Sequence, residues 1–159
     1  MESPLTTTDD ADLDSVASSD DQSFGLEAII LHNAFEQVRN RTLRIDCRQR
    51  THIAGVNGAG KTSTLALIPA FYGEEPDRIV ARGPTRKSFV DYYLPFQNSL
   101  IIFEYRRPTG VCCSVMLRHP SGKIMYRFVE GSADATFFAP GVDEMLADGQ
   151  NANDIFDQL

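Results

Sequence analysis

The sequence GVNGAGKT, residues 55 to 62, constrains this chain more than any other stretch. It fits the pattern G-x-x-x-x-G-K-[ST], in which the backbone N–H groups of a glycine-rich turn surround a phosphate. The glycines are needed because the turn uses backbone conformations that a Cβ atom would forbid. In this pattern the ammonium of Lys61 meets the β- and γ-phosphates, and the hydroxyl of Thr62 is a Mg²⁺ ligand. The pattern predicts a nucleotide phosphate site, and an ordinary glycine-rich turn is the alternative.

The elements predicted on either side of this loop suit a phosphate site. Residues 51 to 56, THIAGV, predict a strand that runs directly into the loop. After the loop, apolar residues at helical spacing predict a helix that begins at Lys61 and ends at Gly73. Pro69 lies inside that helix and is expected to kink or shorten it, because proline lacks the N–H group that a helix interior needs.

The rest of the chain predicts an α/β fold. Apolar or alternating runs predict strands within residues 24–35, 42–47, 99–108, 111–120 and 123–131. The last three runs are joined by the turn pairs Thr-Gly and Ser-Gly, a spacing typical of an antiparallel meander. Short helices are expected near residues 86–94 and 142–146. We therefore expect a mixed sheet with the helix after the loop packed on one side, plus an antiparallel β meander.

Charge divides the chain into two parts. Seven of the 22 acidic residues precede Phe24, where no Lys or Arg occurs, and the 15 that remain equal the Lys and Arg residues in number. Residues 1–23 are also poor in large apolar side chains, so we expect a disordered acidic tail there and a folded lobe over residues 24–159. The tail lacks the basic and apolar regions of a secretion signal, and no apolar run approaches the ~18 residues of a membrane span. We expect a cytoplasmic protein without a membrane partner.

Asn57 and Gly58 within the loop carry a resemblance to a known class of ATPase. A strand that ends in ILHNAF and the following TLRID precede the loop, and together these stretches look like the N-terminal half of an ABC-type ATPase head. They are most similar to the SMC and recombination-repair class of chromosome-associated ATPases. Residues 67–117 resemble a bacterial group of SMC-like proteins with long coiled coils, and the whole resemblance covers roughly residues 26 to 130.

The resemblance implies a P-loop NTPase lobe that binds ATP and Mg²⁺, with Thr62 as the Mg²⁺ ligand. It carries the nucleotide-binding role onto a continuous set of residues, Asn57, Gly58, Ala59, Gly60, Lys61, Thr62 and Ser63. It also places Asn33 and Arg39, together with Arg41, where side chains approach the ribose and the phosphates. An arginine at such a position pairs with two phosphate oxygens, and a solvated turn is the equal alternative.

Elements that such heads need for hydrolysis are not found in this sequence. No apolar strand ends in the Asp-Glu pair that holds Mg²⁺ and positions water, and no Ser-Gly-Gly-type signature loop occurs. Gln150 and Gln158 are nearest in position to the family's Q-loop glutamine, but neither ends an apolar strand. In SMC-like proteins these parts lie in a C-terminal lobe beyond a coiled coil. We therefore expect ATP binding here and hydrolysis only with a C-terminal lobe or a second head, and the catalytic residues stay unassigned.

DNA is the expected substrate of the complete machine. The resemblance implies that a basic run followed by aromatic residues faces DNA. Its residues are Arg78, Arg82, Arg86, Lys87, Tyr92 and Tyr93. Phosphate contacts by these cations would be salt-dependent and independent of base sequence. A solvated loop is the alternative for this run. Three other functions stay open for the chain: a transporter-coupled ABC ATPase, a nucleotide-binding module that does not hydrolyse, and an inactive fragment.

Overall fold

One antiparallel sheet organises the protein. The structure is a computed structural model that describes residues 24–48, 50–80, 87–139, 141–147 and residue 154. The strands of the sheet are β1 (Gly25–His32), β2 (Thr42–Asp46), β3 (Leu100–Arg107), β4 (Gly110–Arg118) and β5 (Ile124–Glu130). Within the described residues they lie in the order β2-β1-β3-β4-β5, and every neighbouring pair is antiparallel.

Short helices flank this sheet on both sides. In the described part of the chain they are α1 (Lys61–Leu65), α2 (Leu67–Phe71), α3 (Pro76–Ile79), α4 (Phe89–Tyr93), α5 (Ala133–Thr136) and α6 (Val142–Ala147). A 3-10 turn, Glu36–Val38, lies in the connection from β1 to β2. None of these helices exceeds two turns, so their stability depends on packing against the sheet.

The sheet has a buried core on each face. Successive side chains of a strand point to opposite faces, so β1, which lies between β2 and β3, contributes to both cores. Ile29 and Leu31 of β1 lie in the core beneath the helices α2 and α4, which also contains Leu67, Phe89, Tyr93, Ile101 and Phe103. Ala28 and Ile30 lie in the core beneath α5 and α6, which also contains Leu100, Ile102, Val115, Ala133, Phe137 and Leu146. The loop of residues 55–62 follows β2 and leads into α1, on the first of these two faces.

The sheet differs from the mixed sheet that the sequence predicts. Residues 51–56 form no strand, and all strand pairs among the described residues are antiparallel. A strand needs a neighbouring ladder for its backbone groups. The carbonyls of Gly55 and Val56 instead accept hydrogen bonds from the ammonium of Lys61. The prediction of a strand over residues 51–56 is therefore wrong.

Other predictions of secondary structure are confirmed. The α/β class, the β3–β4–β5 meander and the helices α4 and α6 all occur as expected. The helix predicted from Lys61 to Gly73 is interrupted at Ala66, where α1 gives way to α2. Pro69 lies in α2 and supplies no N–H group to the preceding turn, so the expected disturbance of this helix is present. Gly73 follows α2 with a φ of 95°, a conformation suited to a helix end.

Several residues of interest lie outside the described part of the chain. They are the predicted acidic tail over residues 1–23, Arg82 and Arg86 of the basic run, and Gln150 and Gln158. Among the described residues, no helix is long and apolar enough to cross a membrane. The same residues hold no group of three His, Cys, Asp or Glu side chains placed to bind a metal ion.

Candidate nucleotide-binding site

The loop uses left-handed backbone conformations at two of its glycines. Gly58 and Gly60 have φ angles of 84° and 86°. A residue with a Cβ atom is disfavoured in this region of backbone space. The N–H group of Ala59 donates to the carbonyl of Val56 at 3.2 Å, which closes the turn between them. The glycines at these two positions are thus required by the shape of the loop itself.

Gly60 lies directly against the ring of Phe35. A Cβ atom on Gly60 would lie 2.6 Å from Cε2 of Phe35 and 3.3 Å from Cβ of Gln37. Phe35 is buried, its ring stacks on Tyr92 with centroids 6.2 Å apart, and it meets Tyr93 edge to face at 5.7 Å. We call Phe35, Tyr92 and Tyr93 the aromatic floor of the loop. It fixes how closely the loop approaches the sheet.

The side chain of Lys61 folds back over the loop. Its Nζ atom donates to the carbonyls of Gly55 and Val56 at 2.6 Å and 2.9 Å. An ammonium has three N–H donors, so these two bonds leave one for a further acceptor. The positive charge is therefore held at the loop, where an anion bound to the loop would be neutralised.

Backbone N–H groups at the end of the loop have no acceptor in the part of the chain that the structure describes. Among the described residues, the N–H groups of Gly58, Gly60, Lys61 and Thr62 donate no hydrogen bond, whereas that of Thr64 donates to the carbonyl of Gly60 at 2.9 Å. The first amides of any helix lack a partner inside the helix. Consecutive free amides beside an ammonium are the donors that phosphate oxygens accept. The residues present therefore fit a phosphate group.

The hydroxyls of Thr62 and Ser63 have different surroundings. Thr62 is exposed, and its hydroxyl has no partner in the described part of the chain. Ser63 is held by α4, because its Oγ atom lies 2.7 Å from the hydroxyl of Tyr92 and its carbonyl accepts from the hydroxyl of Tyr93 at 2.9 Å. Burial raises the pKa of Tyr93 to about 12, so this phenol stays protonated and donates at neutral pH.

Asn33 lies in the connection from β1 to β2, with both ends of its side chain engaged. It is buried, and its φ of 42° is positive, as Asn tolerates better than most residues. Its Nδ2 atom donates to Oδ1 of Asn98 at 2.6 Å, and its Oδ1 atom accepts from the N–H group of Asn40 at 3.0 Å. The side chain of Asn33 therefore stabilises the connection from β1 to β2, which also carries Phe35 of the aromatic floor.

Arg39 and Arg41 lie in the same connection and are both exposed. The guanidinium of Arg39 lies 5.2 Å from the ring centroid of Phe96 and 3.8 Å from the carboxylate of Glu36. The guanidinium of Arg41 donates to the carbonyl of Gln37. The Cβ atom of the same Gln37 borders Gly60. The structure thus brings the predicted residues 57–63 together in one loop and places the predicted arginines on the turn beside it.

The basic run is divided between surface and core. The guanidinium of Arg78 is exposed and lies 3.7 Å from Glu74 and 3.2 Å from Glu75. Lys87 is exposed. Tyr93 is only 2% exposed and belongs to the core, so its ring is not on a surface that DNA reaches. Sequence reasoning missed the role of Phe35 and Tyr92 beneath the loop, and no spacing in the sequence signals their contact with it.

An apolar cleft of about 220 Å³ lies beside the loop, between β1, β2 and α1. Its wall is mostly aliphatic and includes Ile29, Ile45, Ile53, Leu65 and Ile68. Leu65 is 50% exposed, although the apolar residues that follow the phosphate motif are those expected to be buried. The cleft therefore leaves Leu65 open to solvent and Ile45 and Ile53 partly so, whereas Ile29 at its base is buried.

Comparison with known proteins places the chain in a family. Residues 36–154, most of the chain, match the family described as "Protein of unknown function (DUF3584)". This chain belongs to the DUF3584 family. In this DUF3584 member the matched region begins after β1 and includes the phosphate motif, the strands β2 to β5 and the helices α1 to α6. No curated protein matches the chain, and no solved structure matches it either.

Proposed function

We propose that this DUF3584 member is the N-terminal P-loop lobe of an ABC-type, SMC-like ATPase head, which binds ATP and Mg²⁺ in the cytoplasm and serves a machine that acts on DNA. One observation carries the proposal. The loop of residues 55–62 combines left-handed glycines, free amides at Gly60, Lys61 and Thr62, and the Lys61 ammonium 2.6 Å from the carbonyl of Gly55. The choice of ATP and of the SMC-like class is supported by the resemblance around Asn57 and Gly58.

In this proposal the residues of the loop bind and orient the phosphates. The ammonium of Lys61 exchanges its carbonyl partners for phosphate oxygens, because an ionised acceptor forms the stronger bond. The free amides of Gly58, Gly60 and Lys61 donate to the same phosphates. The hydroxyl of Thr62 would hold Mg²⁺, which supplies charge neutralisation when bound. The aromatic floor keeps the loop in the conformation that these contacts need.

Hydrolysis belongs in this proposal to a completed head. We expect another segment to cover the apolar cleft beside the loop and to pair near residues 51–56, which have no ladder among the described residues, or with the edge strand β2. A C-terminal lobe or a second head would pair there and supply the carboxylate that positions water. The chain alone is expected to bind ATP with little turnover.

Titration of the full chain with ATP in the presence of Mg²⁺ tests the core of the proposal. We expect saturable binding that Lys61→Ala reduces by at least about tenfold, since a charge-assisted contact is worth ~1.5–3 kcal/mol. Lys87→Ala is the matched control, because Lys87 is exposed and lies outside the loop. A folded wild-type chain that binds no nucleotide, or a Lys61→Ala variant with unchanged affinity, would overturn the proposal.

The Mg²⁺ role of Thr62 has its own test. Removal of Mg²⁺ with a chelator should weaken ATP binding by the wild type and by Thr62→Ser, which keeps a hydroxyl. Thr62→Val has nearly the same shape without a hydroxyl, and its ATP affinity should hardly respond to the chelator. An equal response by the serine and valine variants would remove Thr62 from the Mg²⁺ site while leaving nucleotide binding in place.

A further inference from the structure

Two neighbouring phenols of α4 hold Ser63 at two different atoms. The hydroxyl of Tyr92 lies 2.7 Å from Oγ of Ser63, and the hydroxyl of Tyr93 donates to the Ser63 carbonyl at 2.9 Å. The ring of Tyr92 is half-buried and stacks on Phe35 under the loop. Ser63 follows Thr62 directly in the first turn of α1. The Tyr92 hydroxyl is thus one hydrogen bond removed from the proposed phosphate site.

We infer that Tyr92 is a positioning residue that acts on a nucleotide phosphate through the hydroxyl of Ser63. The inference rests on the proposed function. A phenol is a stronger acid than an aliphatic alcohol, so the favoured arrangement has Tyr92 donating to Oγ of Ser63. The one proton of Ser63 is then directed away from Tyr92, towards a phosphate oxygen of the bound nucleotide. Hydrogen bonds arranged in such a chain strengthen one another.

Tyr93 provides a matched control within the same helix. It adjoins Tyr92, packs on the same Phe35 ring and also binds Ser63. Its partner is the Ser63 carbonyl, however, so loss of the Tyr93 hydroxyl leaves the Ser63 hydroxyl oriented by Tyr92. Tyr92→Phe and Tyr93→Phe each remove one hydroxyl from the aromatic floor, and only the first disturbs the proposed relay.

The experiment measures the affinity of the full chain for ATP with Mg²⁺ by calorimetric titration, together with the thermal midpoint of each variant without nucleotide. Tyr92→Phe is expected to weaken ATP binding about two- to tenfold, as loss of one hydrogen bond predicts, and Tyr93→Phe less than about twofold. Both variants should lower the thermal midpoint. Ser63→Ala should weaken binding at least as much as Tyr92→Phe, and adding Tyr92→Phe to it should change nothing further. In Ser63→Thr, which keeps the hydroxyl, the effect of Tyr92→Phe should return.

Three outcomes would overturn the inference. Unchanged affinity in Tyr92→Phe would remove Tyr92 from the site. Equal weakening by the two phenylalanine variants would indicate a general loosening of the aromatic floor. A further loss on adding Tyr92→Phe to Ser63→Ala would mean that Tyr92 does not act through Ser63. A folded wild type without ATP affinity would overturn the proposed function as well, whereas these three outcomes leave ATP binding standing.

Discussion

A Cβ atom on Gly60 would lie 2.6 Å from Cε2 of Phe35, which is closer than packed side chains approach. Phe35 follows β1, whereas Gly60 is the glycine directly before Lys61 in the phosphate motif. The contact joins two segments that are separate in sequence and sets the height of the loop above the sheet. Gly60 is therefore needed for packing as well as for its backbone conformation.

Gly60→Ala is expected to lower the free energy of unfolding by about 2–4 kcal/mol, because it combines left-handed strain with overpacking against Phe35. Gly58→Ala is the matched control, since Gly58 has nearly the same φ but nothing within 4 Å of its Cβ position. We expect about 1–2 kcal/mol for Gly58→Ala, from strain alone. Urea unfolding measures both variants. Equal losses at the two glycines would contradict the role assigned to Phe35, as would a cost of Gly60→Ala that Phe35→Leu does not reduce.

Asn33→Ala and Asn98→Ala both break the 2.6 Å hydrogen bond between the two side chains. We expect each to reduce the free energy of unfolding by about 1–3 kcal/mol, because each side chain also makes a second hydrogen bond: Asn33 accepts from the N–H group of Asn40, and Asn98 donates to the carbonyl of Leu146. Their affinities for ATP should be alike, because the Asn33 amide is engaged inside the protein. A loss of ATP affinity confined to Asn33→Ala would show instead that Asn33 reaches the nucleotide, as the resemblance implies.

The parts of the fold that the sequence predicts are those specified by local pattern. The strands β3, β4 and β5 alternate or run apolar between the turn pairs Thr109-Gly110 and Ser121-Gly122, and each strand pairs with its neighbour along the chain. Residues 51–56 have an equally strand-like pattern, yet a strand also needs a partner at its edge. No local signal states whether that partner is present, which is why the prediction there is wrong.

The same distinction holds for the candidate site. Residues 57–63 could be predicted because a phosphate loop is contiguous and its glycines follow from backbone geometry. Tyr92 and Ser63 are 29 positions apart, and nothing in either segment specifies that their hydroxyls meet. The sequence instead suggests a basic, DNA-facing run for Tyr92 and Tyr93, whereas the fold buries Tyr93 beneath the loop. Contacts between distant segments depend on the packed sheet and helices, which local patterns do not encode.

Glu104 on β3 is a buried carboxylate with two strong partners. It is 4% exposed, accepts from Arg44 at 2.5 Å and accepts from the N–H group of Ala133 at 2.7 Å. Glu104→Gln should lower the free energy of unfolding by about 1.5–3 kcal/mol, because the charge-assisted bond to Arg44 is lost. Glu130→Gln is the control, since Glu130 forms an exposed pair with Arg107 that solvent screens. Chemical unfolding of both variants should separate them, and similar losses would contradict the importance of burial at Glu104.

The buried thiol of Cys113 predicts a loss of stability in alkaline solution. Burial raises the pKa of Cys113 from 9.0 to about 12. Between these values the unfolded chain releases the thiol proton while the folded chain keeps it, so the unfolded state binds fewer protons and the free energy of unfolding falls as pH rises. Cys113→Ala should make this fall shallower from about pH 9, although Tyr93, whose pKa is also raised to about 12, still contributes above pH 10.

Ser114→Ala serves as the control for this pH dependence, because Ser114 lies on the same strand as Cys113 and has no titrating group. Urea unfolding at several pH values from 8 to about 11 gives the slope for each variant. Ser114→Ala is expected to retain the slope of the wild type, because its change affects packing alone. A Cys113→Ala variant with the wild-type slope would mean that the folded chain does not protect this thiol, since linkage requires the slope to change when a group with a shifted pKa is removed.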